Sequence, residues 1–137
     1  MGTYMDEIKF NHYLDCKKCP LWETTTYPGV PTRSLYDNQT ISKDKVILFV
    51  GQSLGFLENK QGKSFVGYTG QLLTKMIEAS GLIDYADVYL SNACKCRPPQ
   101  GGNETQSNIR ACRPYLQDDI DKLRAIYDEV IIFCLGA

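Results

Sequence analysis

The sequence predicts an α/β protein with three layers, a parallel central sheet covered by helices on both faces. Three observations carry this. Two runs, VILFV from Val46 to Val50 and VIIFC from Val130 to Cys134, are almost unbrokenly apolar, as in strands buried on both faces. Between the strand-like runs lie segments whose apolar residues recur every three or four positions. The resulting order, βαβαβ, is that of parallel strands joined by crossover helices.

The elements follow in chain order. Residues 1 to 15 carry a loose period in Tyr4, Ile8, Tyr13 and Leu14, which predicts a short helix. The stretch from Cys16 to Lys43 is rich in Thr, Pro, Gly and Tyr and predicts an extended surface segment. Residues 1 to 44 thus form an N-terminal segment, and residues 45 to 137 the βαβαβ core of a single domain. The first strand is Lys45 to Gly51, followed by a loop from Gln52 to Gly67. Thr69 to Ser80 reads as a helix with Leu72, Leu73, Met76 and Ile77 on one face, and Gly81 is its stop. The second strand covers about Val88 to Ala93. A Pro/Gly loop leads to a helix over about Gln106 to Tyr127, in which Pro114 predicts a kink or a later start. The third strand is Glu129 to Leu135. A covering helix usually follows a parallel strand, so the sheet ending at Ala137 reads as unfinished. Ligands of such folds bind at the carboxyl ends of the strands. Gln52, Asn92 and the loop CRPP all fall there.

Composition narrows the function classes. The chain has 137 residues, 43% hydrophobic and 23% charged, with a formal net charge of −1. No global basic field announces a nucleic-acid binder, so any such site is a local patch. No apolar run approaches the roughly 20 residues that span a bilayer, and the N-terminus lacks the apolar core of a signal peptide. The reading is an intracellular protein with no membrane partner. Six cysteines in that setting point to metal or redox chemistry rather than disulfides. Cys16 and Cys19 form C-x-x-C, with Cys96 and Cys112 further on. Four thiolates hold zinc or an iron–sulfur cluster; spacing alone leaves a metal site and unrelated thiols equally open. Cys94 and Cys134 read as buried apolar thiols. The single histidine, His12, reads as a surface residue.

Six ordered segments together resemble the family 4, iron–sulfur uracil-DNA glycosylases. They are CKKCPL (16 to 21), GQSLG (51 to 55), GKSFVGYTGQLL (62 to 73), YLSNACKCRPP (89 to 99), ACRPYL (111 to 116) and LGA (135 to 137). The resemblance implies that Cys16, Cys19, Cys96 and Cys112 hold a [4Fe–4S] cluster of structural role, with zinc as the alternative. It implies a partner, single- or double-stranded DNA, from which a nucleotide is flipped into a pocket. Phe65 would stack on the base, and the amide of Asn92 would pair with the imide edge of uracil. Tyr68 would help to exclude bulkier bases. Gln52 and Ser53 would border the same pocket, and Lys95, Arg97 and Arg113 would meet phosphates or solvent.

The sequence also departs from that family. Its G-E-A-P-G motif carries the carboxylate that serves bond cleavage; here the position is Gln52, followed by Ser53 and Leu54. Glu58 matches a later glutamate and is read chiefly as ordering the loop. A C-terminal H-P-S loop, whose histidine supports the leaving uracil, would lie beyond Ala137. The resemblance thus implies recognition of a uracil-type base with the cleavage step impaired; an active protein would be an N-glycosidic bond hydrolase. Two alternatives stand beside it. One is a glycosylase-like module of a larger replication or repair protein, such as a phage DNA polymerase. The other is a zinc-stabilised domain with a protein partner.

Overall fold

The computed structural model describes residues 8–37, 39–99 and 102–136. Four strands form one sheet: β1 (Arg33–Ser34), β2 (Lys45–Gly51), β3 (Asp87–Asn92) and β4 (Glu129–Cys134). Their order is β1-β3-β2-β4. β2 runs parallel to both β3 and β4, as βαβ crossovers demand. β1 adds an antiparallel edge to β3, with Arg33 opposite Leu90. Two residues in a Thr/Pro-rich stretch carry no strand period, so this strand is invisible in the sequence pattern.

The helices are α1 (Phe56–Gln61), α2 (Tyr68–Ser80) and α3 (Gln106–Ile126). α2 stops at Gly81, whose φ of +77° is the left-handed geometry that glycine adopts at no steric cost. α3 is opened by Thr105, whose hydroxyl accepts from the Asn108 N–H while the Asn108 side chain accepts from the Thr105 N–H. The helix runs through Pro114, so it has no later start. α1 lies within the predicted loop. Its six residues are too few to display a period, and Gly55 and Gly62 bracket it.

Strand alternation divides the core in two. Ile47, Phe49, Val88 and Leu90 face Ile77 of α2. Val46, Leu48, Val50 and Tyr89 face Ile120 and Leu123 of α3, and Tyr127 just beyond it. Helices on both faces confirm the three layers. At roughly 1.5–3 kcal/mol per large apolar side chain buried, β2 alone accounts for much of the core, since five of its seven residues are buried.

Three expectations are corrected. Residues 8 to 13 are not helical; Phe10 packs edge-on against Tyr89, and Tyr13 stacks on Tyr115. Tyr4 of that predicted helix lies outside the described residues, as does Ala137. β4 is not buried on both faces. It is an edge strand among the described residues, and Ile131, Ile132 and Phe133 are exposed. Cys134 is therefore exposed rather than a buried thiol. The apolar run marks the strand correctly but not its neighbours.

Candidate functional site

The carboxyl ends of β2 and β3 meet where Gly51 pairs with Asn92. A Cβ on Gly51 would stand 2.7 Å from Asn92 Oδ1 and 2.8 Å from Phe65 Cζ. The amide and the ring therefore converge over this one glycine, and a larger residue would push one of them aside. Asn92 is buried, and its Nδ2 donates to Ser64 Oγ at 3.2 Å. That bond fixes the amide with its oxygen towards Gly51.

Phe65 is held in a costly conformation. Its φ is +58°, which a non-glycine residue adopts only when its surroundings impose it. Arg33 supplies part of the constraint. Its Nε donates to the Ser64 carbonyl at 2.6 Å and its Nη2 to the Phe65 carbonyl at 3.3 Å. Burial lowers the pKa of this guanidinium from its ordinary value. The start of α2 presses from the other side: a Cβ on Gly70 would lie 2.2 Å from the Phe65 carbonyl carbon. Glu58 closes the loop, its Oε2 accepting from the N–H of Val66 at 2.9 Å and of Gly67 at 2.7 Å. The glutamate orders the loop, as the sequence predicts.

Around these groups lies an open cleft of about 570 Å³, lined by Gln52, Ser53, Phe65, Tyr68 and Asn92 among others. All five predicted base-binding residues are thus brought together. The volume suits a small ligand. A ring beside a buried amide can hold a planar heterocycle by its face and its donor–acceptor edge. Tyr68 stands at the mouth, 83% exposed. Gln52 is exposed, and its amide can neither carry charge nor take up a proton at neutral pH. Ser53 donates to Glu104 Oε2 at 3.0 Å. Leu54 is buried in the core.

The second site lies behind β3. Cys16, Cys19, Cys94, Cys96 and Cys112 line one cavity. Two sulfurs accept backbone hydrogen bonds, Cys96 from Gly29 N–H at 3.3 Å and Cys112 from Lys95 N–H at 3.4 Å. Such donors suit thiolates bound to a metal. Burial pushes Cys96 up to about 11, and also raises Cys112, so as free groups both keep their protons. The donor set fits a thiolate-ligated centre by chemistry and by shared cavity. The side chains as they stand do not form a closed metal-binding group among the described residues. Cys94 is the buried thiol expected, held up at about 12 by burial, but it lies against this cavity rather than apart from it.

Lys95 corrects an expectation. It is buried, not a phosphate-facing cation. Its Nζ lies 3.2 Å from Asp119 Oδ2 and donates to Ser91 Oγ at 2.7 Å, while Thr32 donates to the same Asp119 oxygen at 2.6 Å. A charge excluded from water must be paired, and this pair joins the cysteine loop to α3. Arg97 is half-buried over the Phe56 ring at 5.5 Å. Arg113 and His12 are exposed. Arg33, Ser64 and Glu104 are not among the residues that the sequence singles out, because single polar residues in aperiodic segments carry no signal of their partners.

Comparison with known proteins finds relatives of the chain. The family model described as the uracil DNA glycosylase superfamily matches residues 39–137. A type-4 uracil-DNA glycosylase of Archaeoglobus fulgidus is 38% identical over 134 residues, covering 96% of this chain and 59% of the relative. One from Sulfurisphaera tokodaii is 37% identical over 119 residues, covering 85% of this chain and 49% of the relative. One from Thermotoga maritima is 36% identical over 131 residues, covering 96% and 62%. The chain thus spans about half to three-fifths of the length of these relatives. No helix among the described residues is long and apolar enough to cross a membrane.

Proposed function

The chain belongs to the uracil DNA glycosylase superfamily, and on that premise we propose that residues 1–137 act as one glycosylase-like domain that binds DNA and holds a flipped uracil-type base in the cleft. The observation carrying this reading is the convergence of Phe65 and Asn92 over Gly51. Phe65 stacks on the base, and Asn92 Oδ1 accepts from its imide N–H. Ser64 and Arg33 hold those two groups, so little ordering is left to binding. Tyr68 guards the mouth, and Arg97 and Arg113 are the cations available to phosphates.

Cleavage of the glycosidic bond develops positive charge on the sugar and negative charge on the base. A carboxylate helps the first and positions water. Gln52 offers neither charge nor a base, so the step assigned to that position is lost while recognition is kept. Each group of this kind is worth roughly 10² to 10³ in rate.

Cys16, Cys19, Cys96 and Cys112 would hold the [4Fe–4S] cluster, which would supply a structural tie between the N-terminal segment, the loop after β3 and α3. The shared cavity and the two N–H···S bonds support this assignment. A brown protein with about four irons per chain is expected, and a colourless, zinc-loaded one contradicts it.

Fluorescence anisotropy with labelled single strands that differ only in one uracil or thymine tests the reading. Tighter binding of the uracil strand, lost in Asn92→Ala, is expected. Equal binding of both strands contradicts it.

A further inference from the structure

We propose that Ser53 and Glu104 form a proton relay at the cleft that takes over the base function absent at position 52. The relay rests on the base-recognition reading of the same cleft. Among the described residues, the cleft wall itself carries one carboxylate, Glu58. Its Oε2 is engaged by the Val66 and Gly67 N–H groups, and Oε1 lies close under Gly55. Glu58 is therefore committed to the loop. A second carboxylate stands one hydrogen bond behind the wall. Glu104 accepts from Ser53 Oγ at 3.0 Å, and Ser53 lines the cleft directly beside Gln52.

The placement is fixed from both sides. Ser53 follows Gln52, whose carbonyl accepts from Cys94 N–H at 2.8 Å, so the loop after β2 is pinned to the loop after β3. Glu104 precedes Thr105, the capping residue of α3. The bond between Ser53 and Glu104 is part-buried, so it is shielded but reachable from the cleft. A serine hydroxyl that donates to a carboxylate keeps its lone pairs free to accept from water. That is the arrangement of a base acting through a hydroxyl.

Atoms and electrons balance in this step. A water beside Ser53 attacks C1′ of the held nucleotide, and its oxygen forms the new C–O bond. The C1′–N1 bond breaks, and its electron pair leaves on the uracil. The water proton passes to Ser53 Oγ while the Ser53 proton passes to Glu104 Oε2. Ser53 ends unchanged, Glu104 ends protonated, and the base leaves as its anion. Ser53 is the catalytic residue of this step, and Glu104 acts through it.

The test is single-turnover uracil release from a single-stranded oligonucleotide containing one uracil, with the full cluster-loaded chain in excess, beside anisotropy on the same strand. Slow release is expected. Glu104→Gln and Ser53→Ala should each lower it by about 10²-fold. Glu104→Asp, which keeps the carboxylate, should restore part of the rate. A merely structural tie between the loops would survive Glu104→Gln, whose amide oxygen still accepts from Ser53, and would leave release unchanged. Release that is unaffected by Glu104→Gln overturns the relay. So does tight uracil-dependent binding with no release, although base recognition then stands. Loss of any preference for uracil overturns the recognition reading, and the relay with it.

Discussion

The loops leaving the carboxyl ends of β2 and β3 begin side by side and differ in how they are closed. The loop after β3 is closed. Cys94, Lys95 and Cys96 are all buried, the backbone of Lys95 binds both Val30 and Cys112, and its side chain is paired with Asp119. The loop after β2 is open. Gln52 is exposed to the cleft, and Ser53 reaches out to Glu104. Cys96 of this loop lines one cavity with Cys16, Cys19 and Cys112, the other thiols that the resemblance names. In the open half, on the reading proposed, the groups for base recognition remain and an amide, Gln52, stands at the position of the cleavage carboxylate. Residues tied into a core are costly to change. A side chain standing in a cleft can be replaced with little cost to folding, so chemistry can be lost while the scaffold persists.

The largest effects should come from breaking the closed half. On the cluster assignment proposed, Cys96→Ser or Cys112→Ser should abolish the bound iron and lower the melting temperature more than any other change, since metal-bound loops draw folding energy from the ligands. Iron content and the visible spectrum check this. Next comes Lys95→Met, which strands the Asp119 carboxylate in the core and should cost about 3–5 kcal/mol in chemical denaturation. Lys95→Met with Asp119→Leu should recover most of that loss, because the penalty lies in the unpaired charge rather than in the pair.

Alkaline pH offers a milder probe of the same half. In the metal-free chain Cys96 is pushed up to about 11 by burial, whereas an unfolded thiol titrates near its ordinary value of 9.0. The folded state holds the proton longer. Its contribution to stability is complete below pH 9 and is lost as pH rises through about 11. Thermal melts of chelator-treated protein across that window should fall, and cluster-loaded protein should fall less.

The open half should respond in binding more than in stability. Phe65→Gly removes the stacking ring but relieves a φ of +58°. It should therefore weaken uracil-dependent binding by about 1–3 kcal/mol while changing the melting temperature little. Smallest of all should be Tyr127→Phe, which deletes the hydrogen bond to the buried Asp87 at 2.6 Å and the longer one with Tyr89 at 3.5 Å, and should cost about 1–2 kcal/mol.

Much of this architecture is legible in the sequence. The β2 boundaries follow directly, because an apolar run and a glycine end are local signals. Period places α2 and α3 to within about a residue, and Gly81 marks its stop by its role. The cleft is legible as a set of positions, Gln52, Ser53, Phe65, Tyr68 and Asn92, through motif order. What holds them is not. Arg33 reaches Phe65 across 32 positions and Ser53 reaches Glu104 across 51, and no local pattern encodes such pairings. The burial of Lys95 is hidden for the same reason: its partner, Asp119, is supplied by a helix that the residue's own neighbourhood does not reveal. β4 misleads differently, since an apolar run records what a strand can face and not what covers it.

Recognition of the base survives in this chain, on the reading proposed, while the function of the carboxylate at position 52 does not. Uracil release and binding by the wild-type chain and by Gln52→Glu, measured on the same uracil-containing strand, test that claim most directly. Similar affinities and about 10²-fold faster release by Gln52→Glu are expected. Fast release by the wild type that Gln52→Glu leaves unchanged would contradict it.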